Sequence, residues 1–219
     1  MSIDKQKSLI VKKLDKFFST YRRISFKKGE IIIRADDPPA GIFYLKEGVV
    51  REYVISQKGE ELTLNIFRPY AFFPMSYAIN KTINNHFYEA QTQVLTWRAP
   101  VEDILQFIKN EPEVMFDLLA RIYIGLQGIF ARMEYLMTGS AKARLLTELL
   151  IYAKRFGDKK TGKITVDLRL TQKDLSAQSG IARETVGRII KTLKSKKLIV
   201  FQNKKLIIND LRGLEEKLS

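Results

Sequence analysis

The 219-residue chain contains no cysteine, one histidine and one tryptophan. The absence of cysteine excludes disulfides, thiolate metal sites and cysteine-ligated iron–sulfur clusters. No uninterrupted apolar run reaches the roughly 20 residues that a membrane-spanning helix needs. Residues 1–20 alternate lysine with apolar residues and lack the apolar stretch of a secretory signal. These absences predict a cytoplasmic protein that has no membrane partner.

Motifs of catalysis are also missing. The sequence holds no nucleophile elbow, no Walker loop, no cluster of metal ligands and no paired carboxylates in a pocket-like motif, which disfavours an enzyme. The histidine, His86, lies in the polar run NNHFYE, which is typical of a surface residue rather than of a metal or haem ligand. We therefore expect no metal, no haem and no catalytic residue.

Positive charge is spread unevenly along the chain, whose formal net charge is +14. Residues 1–139 hold 19 lysines and arginines against 16 acidic residues, whereas residues 140–219 hold 19 against 8. A polyanion is the natural partner of the second segment, because neutralising phosphates releases condensed counterions. A basic surface that serves solubility is the alternative that charge alone leaves open.

Short apolar or alternating runs between about Ile24 and Trp97 predict a β domain. The runs are separated by glycines and by a Pro-Pro pair, as in a sandwich or roll, and read EIIIRA, GIFYL, GVVREYVIS, ELTLNIF and EAQTQVLTW. Segments 3–19 and 100–110 have the pattern of flanking helices. The first domain is therefore predicted to span residues 1–110.

The pattern changes to that of one long helix over residues 111–138. Its apolar residues recur at alternating spacings of four and three, the a/d pattern of a two-stranded coiled coil, at Met115, Leu119, Ile122, Leu126, Ile129, Met133 and Leu136. This seam predicts a homodimer, and a helix packed along its own domain is the alternative. Phe116, Ile124 and Phe130 form a second apolar face, which we expect to meet the β domain.

A third domain, residues 139–219, begins where Thr138-Gly139-Ser140 interrupts the long helix. The sequence predicts a helix over 140–156, a polar loop over 157–163 and a strand over 164–168. Two helices joined by a tight turn follow, over 172–178 and 182–195, and the first opens with Thr171 and Asp174 in a capping-box pattern. The run KKLIVFQNKKLII then predicts a β-hairpin wing. The third domain is therefore a winged helix-turn-helix.

The second of the paired helices separates an aliphatic stripe from a polar stripe. Arg183, Glu184 and Arg188 lie outside the aliphatic stripe, near the helix N-terminus, where a recognition helix meets base edges in the major groove of double-stranded DNA. Arginine can bond guanine bidentately, and glutamate can accept from cytosine. Backbone contacts are predicted for Thr171, Thr185, Lys191, Lys194 and Lys204. Gly187 either leaves room for DNA or serves helix packing, and a solvated surface helix is the plainer alternative.

A β-roll, a long helix and a winged helix-turn-helix that carries RETVGR resemble the cyclic-AMP receptor protein/FNR (Crp/Fnr) family of bacterial transcription regulators. The resemblance covers nearly the whole chain and implies an α+β fold with a cyclic-nucleotide-binding-like jelly roll. It implies that Arg183 and Arg188 read guanines and Glu184 a cytosine, in TGTGA-like half-sites of a palindrome. It also implies a hinge at Thr138-Gly139 and an RNA polymerase contact through the loop GDKKTG.

The chain departs from this family where a cyclic nucleotide would bind. The family's phosphate-binding cassette has Gly-Glu-Leu and then Arg with Ser or Thr, whereas residues 68–93 hold no Gly-Glu pair and no arginine after Arg68. Cyclic AMP is therefore disfavoured. Aromatic residues instead line a pocket for an unknown small effector or simply fill the core: Phe67, Tyr70, Phe72, Phe73, Tyr77, Phe87 and Tyr88. A ligand-sensing or partner-binding module without specific DNA reading is the alternative function, against which Arg183, Glu184 and Arg188 argue.

Overall fold

The computed structural model describes residues 3–57, 59, 61–160, 162–203 and 205–218. The chain divides into two compact units, and the boundary falls between Ile122 and Tyr123. This boundary lies inside the longest helix, which therefore contributes its first part to one unit and its second part to the other.

The first unit is a β-roll made of two antiparallel sheets with helices around them. Its described elements are α1 (Ile3–Phe18), β1 (Arg22–Phe26), β2 (Ile31–Ile33), β3 (Ile42–Glu47), β4 (Val50–Ile55), β5 (Glu61–Phe67), β6 (Phe72–Phe73), α2 (Met75–Asn80), β7 (Phe87–Ala90), β8 (Val94–Ala99) and α3 (Val101–Asn110). The strand orders are β1-β8-β3-β6 and β2-β7-β4-β5. The predicted roll and flanking helices are confirmed. Helix α2 was not predicted, and the run EAQTQVLTW forms two strands instead of one.

Strand β3 supplies both apolar cores of this unit, because successive side chains of a strand point to opposite faces. Phe43 and Leu45 enter the core between the sheets, which also holds Phe73. Ile42 and Tyr44 point the other way, into a core covered by the helices. There the Tyr44 ring stacks on Phe18 of α1, with ring centroids 4.7 Å apart. The helix-side core fixes α1 and α3 against the outside of the roll.

The long helix α4 (Pro112–Thr138) confirms the predicted helix. In the first unit, Val114 and Leu118 pack against the helix-side core, and Arg121 donates from Nη1 to the carbonyl of Tyr70 at 2.9 Å. The predicted seam residues are exposed by 37–51% in the single chain, namely Met115, Leu119, Ile122, Leu126, Ile129 and Met133. The side chain of Leu136 lies outside the described part. The exposed seam leaves α4 with an apolar face to cover.

The expected contact of Phe116 with the β domain is wrong, since this side chain is 71% exposed. Ile124 and Phe130 belong to the second unit and are exposed by 53% and 63% respectively. Val114 and Leu118 occupy the face of α4 that meets the first unit's core instead. Phe116 and Phe130 each follow a d residue of the heptad and so lie at e positions, which flank the seam and widen its apolar stripe.

By length and composition alone, the stretch Pro112–Tyr135 of α4 could cross a membrane, and almost none of its most apolar part is buried in the single chain. Asp117 and Arg121 interrupt the apolar residues, so the stretch contains no uninterrupted apolar run of about 20 residues. Heptad spacing of the exposed apolar residues is typical of a helix that packs against a partner helix. The pattern of α4 therefore favours a coiled coil.

The second unit continues from α4 into a winged helix-turn-helix. Its described elements are α5 (Ala141–Phe156), β9 (Gly157–Lys160), β10 (Lys163–Arg169), α6 (Gln172–Ser179), α7 (Arg183–Ser195), β11 (Ile199–Gln202), β12 (Lys205–Ile208) and α8 (Leu211–Glu215). The four strands form one antiparallel sheet in the order β11-β12-β10-β9. The helix pair and the wing are confirmed, whereas α8 was not predicted.

The expectation of a polar loop over residues 157–163 is wrong. Residues Gly157–Lys160 pair with β10 in register from Val166 to Lys163, so the segment is one arm of a hairpin. Gly162 lies in its turn with φ 79°, a conformation that favours glycine. The polar composition concealed the strand, because β9 is an edge strand and edge strands often carry charged residues.

The break between α4 and α5 depends on two residues. A Cβ on Gly139 would lie 2.6 Å from the carbonyl oxygen of Tyr135, so glycine is required where the chain leaves α4. Ser140 then caps α5, because its hydroxyl accepts from the backbone N–H of Ala143 at 3.2 Å. The interruption expected from Gly139 and Ser140 is therefore present, while the side chain of Thr138 lies outside the described part.

Candidate DNA interface

Local contacts hold the two helices of the helix-turn-helix at a fixed angle. Thr171 accepts from the N–H of Asp174 at 3.2 Å, and Asp174 accepts from the N–H of Thr171 at 2.7 Å, which is a complete capping box. Gly180 ends α6 with φ 61°. In the turn, the hydroxyl of Ser176 donates to the carbonyl of Ile181 at 2.6 Å. Buried side chains lock the pair from inside, among them Leu175, Val186 and Ile190.

The same packing leaves the predicted base-reading residues on the outside. Arg183 and Glu184 occupy the first turn of α7, Arg188 follows one turn later, and all three side chains are exposed. Arg188 donates from Nη2 to the hydroxyl of Thr185 at 3.4 Å. The structure therefore brings two guanidinium groups and one carboxylate together on one exposed helix face. Such a face can donate to guanine and accept from cytosine.

Basic side chains suited to phosphate flank this face. Lys191 is exposed on α7, and Lys194 places its ammonium 5.2 Å from the ring centroid of Phe201 in the wing. Thr185 is half-buried, and its hydroxyl accepts from Arg188. Lys204 lies outside the described residues. Lys191 and Lys194 are both exposed, and their contact with the DNA backbone stays a prediction.

The structure places Thr171 differently from the prediction of a phosphate contact. Its hydroxyl donates to the carboxylate of Asp174 at 2.7 Å, and its N–H donates to the same oxygen. Both donors are therefore already used in capping α6. Gln172 and Lys173 come next in the chain, are exposed, and carry side-chain donors at the same helix end. Gln172 and Lys173 are therefore further candidates for a phosphate contact, and their exposure was not visible in the sequence.

Gly187 lies in the middle of α7, where glycine costs about 1 kcal/mol relative to alanine. A Cβ at this position would meet only the side-chain amide of Gln172, at 3.5 Å, which is ordinary van der Waals contact. Helix packing therefore does not require glycine here. Of the two explanations offered by the sequence, room for DNA is the one that this geometry favours.

The aromatic residues of the predicted effector pocket divide between two cores. Phe67, Phe73 and Tyr88 pack against one another, with Phe73 and Tyr88 rings 5.2 Å apart. Phe72 and Tyr77 belong to the helix-side core. Phe87 stacks on Tyr53, and Tyr70 is 39% exposed.

A groove of about 810 Å³ lies in the second unit between α4, α5 and α8, and the sequence analysis did not predict it. Its lining includes Gly128 and Ala131 of α4, whose small side chains leave this space open.

His86 has an acidic partner rather than a metal site. Its Nδ1 lies 2.6 Å from Oε1 of Glu52, which also accepts from the hydroxyl of Tyr88 at 3.0 Å. The bond to Glu52 raises the pKa of His86, and partial burial opposes that rise. Across the described residues, no three His, Cys, Asp or Glu side chains meet as metal ligands would. The pairing was not visible in sequence, because 34 positions separate the two residues.

Two family models match the chain. Residues 23–111 match the cyclic nucleotide-binding domain, and residues 143–217 match the Crp-like helix-turn-helix domain. The first match covers the β-roll, and the second covers the capped helix pair with its wing. The order of the two matches agrees with the order of the two units.

The chain is similar to known transcription regulators over most of their length. The transcriptional regulator SdrP of Thermus thermophilus is 30% identical over 88% of this chain and 92% of that protein. The global nitrogen regulator of Nostoc sp. is 27% identical over 84% of each chain. A solved CRP/FNR-family transcriptional regulator, also from Thermus thermophilus, superposes with a TM-score of 0.67 at 29% identity, covering 89% of this chain and 97% of that one. A CooA variant from Carboxydothermus hydrogenoformans has the same fold, with a TM-score of 0.79 at 20% identity and coverages of 93% and 90%.

Proposed function

Since the chain belongs to the Crp/Fnr family of DNA-binding transcription regulators, we propose that it binds a palindromic DNA site as a homodimer. The half-sites are TGTGA-like, and each is read by one copy of α7. The observation that carries this proposal is the exposed face of α7 with Arg183, Glu184 and Arg188. Guanidinium and carboxylate groups at the start of a recognition helix match the donors and acceptors of guanine and cytosine.

The exposed seam of α4 supports the homodimer. Its apolar residues keep a/d spacing over three heptads, and Tyr123, like Phe116 and Phe130, adds an aromatic side chain beside them. Burying this stripe against a second copy removes apolar surface from water. Two-fold symmetry of such a dimer matches two inverted half-sites, with their centres one turn of DNA apart.

The region of the cyclic-nucleotide cassette supports an effector other than cyclic AMP, or none. No arginine lies between Arg68 and Arg98, so the guanidinium that would hold a cyclic phosphate is missing. Helix α2 begins in this region after Pro74 and has no acidic residue in its first turn, where a ribose hydroxyl would need an acceptor. No cofactor is proposed. From the proposed role in transcription we also infer a contact with RNA polymerase and a cytoplasmic location.

The proposal is tested by DNA binding at one stated salt concentration. Fluorescence anisotropy compares a duplex carrying inverted TGTGA half-sites, about 10 bp between centres, with a scrambled duplex. We expect the matched duplex to bind at least about 10³-fold more tightly, as specific regulators do. Added cyclic AMP should leave both affinities unchanged. Equal affinity for the two duplexes would instead favour a sensing module without sequence reading.

A further inference from the structure

A buried ion pair crosses the joint between the long helix and the DNA-binding domain. Arg132 on α4 donates from Nε to Oε1 of Glu148 at 2.5 Å and from Nη2 to Oε2 at 3.0 Å, so both carboxylate oxygens are held. The Glu148 side chain is 3% exposed and that of Arg132 19%. The two residues stand on opposite sides of the break at Gly139 and Ser140.

A pair of this geometry fixes an orientation more strictly than apolar packing does. The guanidinium is planar, and two parallel bonds to one carboxylate allow little rotation. An apolar contact of equal size tolerates sliding, because dispersion and burial are non-directional. Burying two charges is also costly in solvation, so the pair is weak support for stability as such. Its specific contribution is to the angle between α4 and α5.

Beyond Glu148, further buried polar side chains connect α5 with the helix-turn-helix. Tyr152 lies one turn further along the same face of α5, is 3% exposed, and donates its hydroxyl to Oε1 of Gln178 at 3.3 Å. Gln178 is a buried residue of α6. Helix α6 in turn packs on α7, and Leu175 of α6 and Val186 of α7 are both buried. Buried side chains of α5, α6 and α7 therefore lie between the ion pair and the exposed face of the recognition helix.

We propose that Arg132 and Glu148 are positioning residues for α7, because their ion pair sets the angle at which the long helix holds the DNA-binding domain. The inference rests on the proposed function and adds a pair of residues to it. In a dimer joined along α4, that angle decides whether both recognition helices reach half-sites one turn apart. A shift of α4 is passed to α7 through this pair.

Arg155 determines which variant is most informative. It lies on α5, and burial followed by the neighbouring Arg132 charge lowers its pKa, so two guanidinium groups stand near one carboxylate. Replacing Arg132 alone would leave the Arg155 charge acting on the Glu148 carboxylate. Glu148→Gln removes the carboxylate from both and is therefore the primary variant. The double variant Arg132→Met/Glu148→Leu tests apolar packing, and the exchange Arg132→Glu/Glu148→Arg tests restoration of the pair.

The first readout is the geometry of the joint and does not depend on DNA. Because the chain has no cysteine, Gln127→Cys on α4 and Gln202→Cys in the wing can carry two spin labels without background. Double electron–electron resonance measures the distance between the two labels. The labelled chain is diluted into excess unlabelled chain, so that each dimer carries one labelled protomer and only the distance within that protomer is measured. We expect one narrow distance in the parent, a broad or shifted distribution for Glu148→Gln and for the apolar double variant, and a narrow one again for the exchange.

The second readout is affinity for the palindrome against affinity for a single half-site. Glu148→Gln and the apolar double variant should lose about tenfold on the palindrome and little on the half-site, and the exchange should recover. Circular dichroism melting shows that each variant is folded.

A distance distribution of Glu148→Gln that is unchanged from the parent would overturn the inference. A narrow parental distance together with parental palindrome affinity in the apolar double variant would also overturn the inference, because apolar packing would then be enough to set the angle. A parent that does not distinguish matched from scrambled DNA would refute the proposed function, while the distances still judge the joint.

Discussion

Arginine at positions 183 and 188 offers a planar fork whose fixed geometry matches two acceptors of one guanine, whereas the ammonium of a lysine is a compact charge on a flexible stem. The fold contributes the exposure of both forks, since the aliphatic side chains Val186, Ile190 and Leu193 on the other face of α7 are buried. The side-chain chemistry was readable in RETVGR. What the structure adds is that Thr171 has its donors occupied and that Gly187 has space above it.

Replacing Arg188 with alanine should weaken binding to the matched palindrome by roughly 1–3 kcal/mol and leave binding to scrambled DNA nearly unchanged, because a base contact is lost. Anisotropy titrations of both duplexes at equal salt measure the difference. Arg212→Ala is the matched control, since Arg212 is also exposed but lies on α8. Equal losses on both duplexes would mean that Arg188 contacts only phosphates.

His86 should titrate above its ordinary pKa of 6.5, because its bond to Glu52 raises the pKa. A raised folded-state pKa means that the pair stabilises the fold fully below pH 6.5 and loses this contribution as pH rises through the folded pKa. His86 is the only histidine, so one imidazole NMR resonance follows the titration. Glu52→Gln should lower the midpoint and flatten the fall in melting temperature. A midpoint at or below 6.5 in the parent would contradict the pairing.

At the scale of elements, the sequence predicted features that depend on local signals well and features that depend on long-range contacts poorly. The capping box at Thr171, the glycine at position 180 and the heptad spacing of α4 each act within a few residues, so the sequence predicted α4, α6 and α7 with bounds close to those observed. Which face of α4 meets the roll depends on distant strands and helices. The sequence analysis expected Phe116 to pack against the roll, whereas Val114 and Leu118 pack against its helix-side core and Phe116 is exposed.

The seam of α4 gives the element its own test. Leu126→Glu should convert the dimer to a monomer, because two carboxylates would face each other across an apolar seam. Gln127→Glu introduces the same charge at a b position of the heptad, on the side of α4 that faces away from the seam, and should leave the dimer intact. Sedimentation velocity at a few concentrations separates the two outcomes. A dimer that persists with Leu126→Glu would place the interface elsewhere.

At the scale of the whole molecule, charge and fold coincide. The DNA-binding third of the chain, residues 140–219, carries 19 lysines and arginines against 8 acidic residues, while the preceding 139 residues are close to balanced. The excess therefore sits in the segment with the helix-turn-helix. Long-range attraction to a polyanion then acts on the domain that must approach it, which favours productive encounters.

Salt dependence should report this distribution. For scrambled DNA, the slope of log affinity against log salt concentration should become shallower by about 1 when Lys191 is replaced with alanine, because one phosphate contact is lost. Lys109→Ala is the control, since Lys109 is exposed on α3 in the first unit and should leave the slope unchanged. Anisotropy titrations across a series of salt concentrations give both slopes. An unaltered slope for Lys191→Ala would remove that lysine from the backbone contacts.

The sequence by itself determined the order of the domains' elements, the heptad face of α4 and the outward set of Arg183, Glu184 and Arg188, because each follows from spacing within one helix or turn. Only the tertiary structure decided how the aromatic residues divide between two cores and which acid partners His86. It alone placed Arg132 against Glu148 across the break at Gly139. These pairings join residues 16 or more positions apart, and a chain's local periodicity specifies which face is apolar or charged but not what that face will meet.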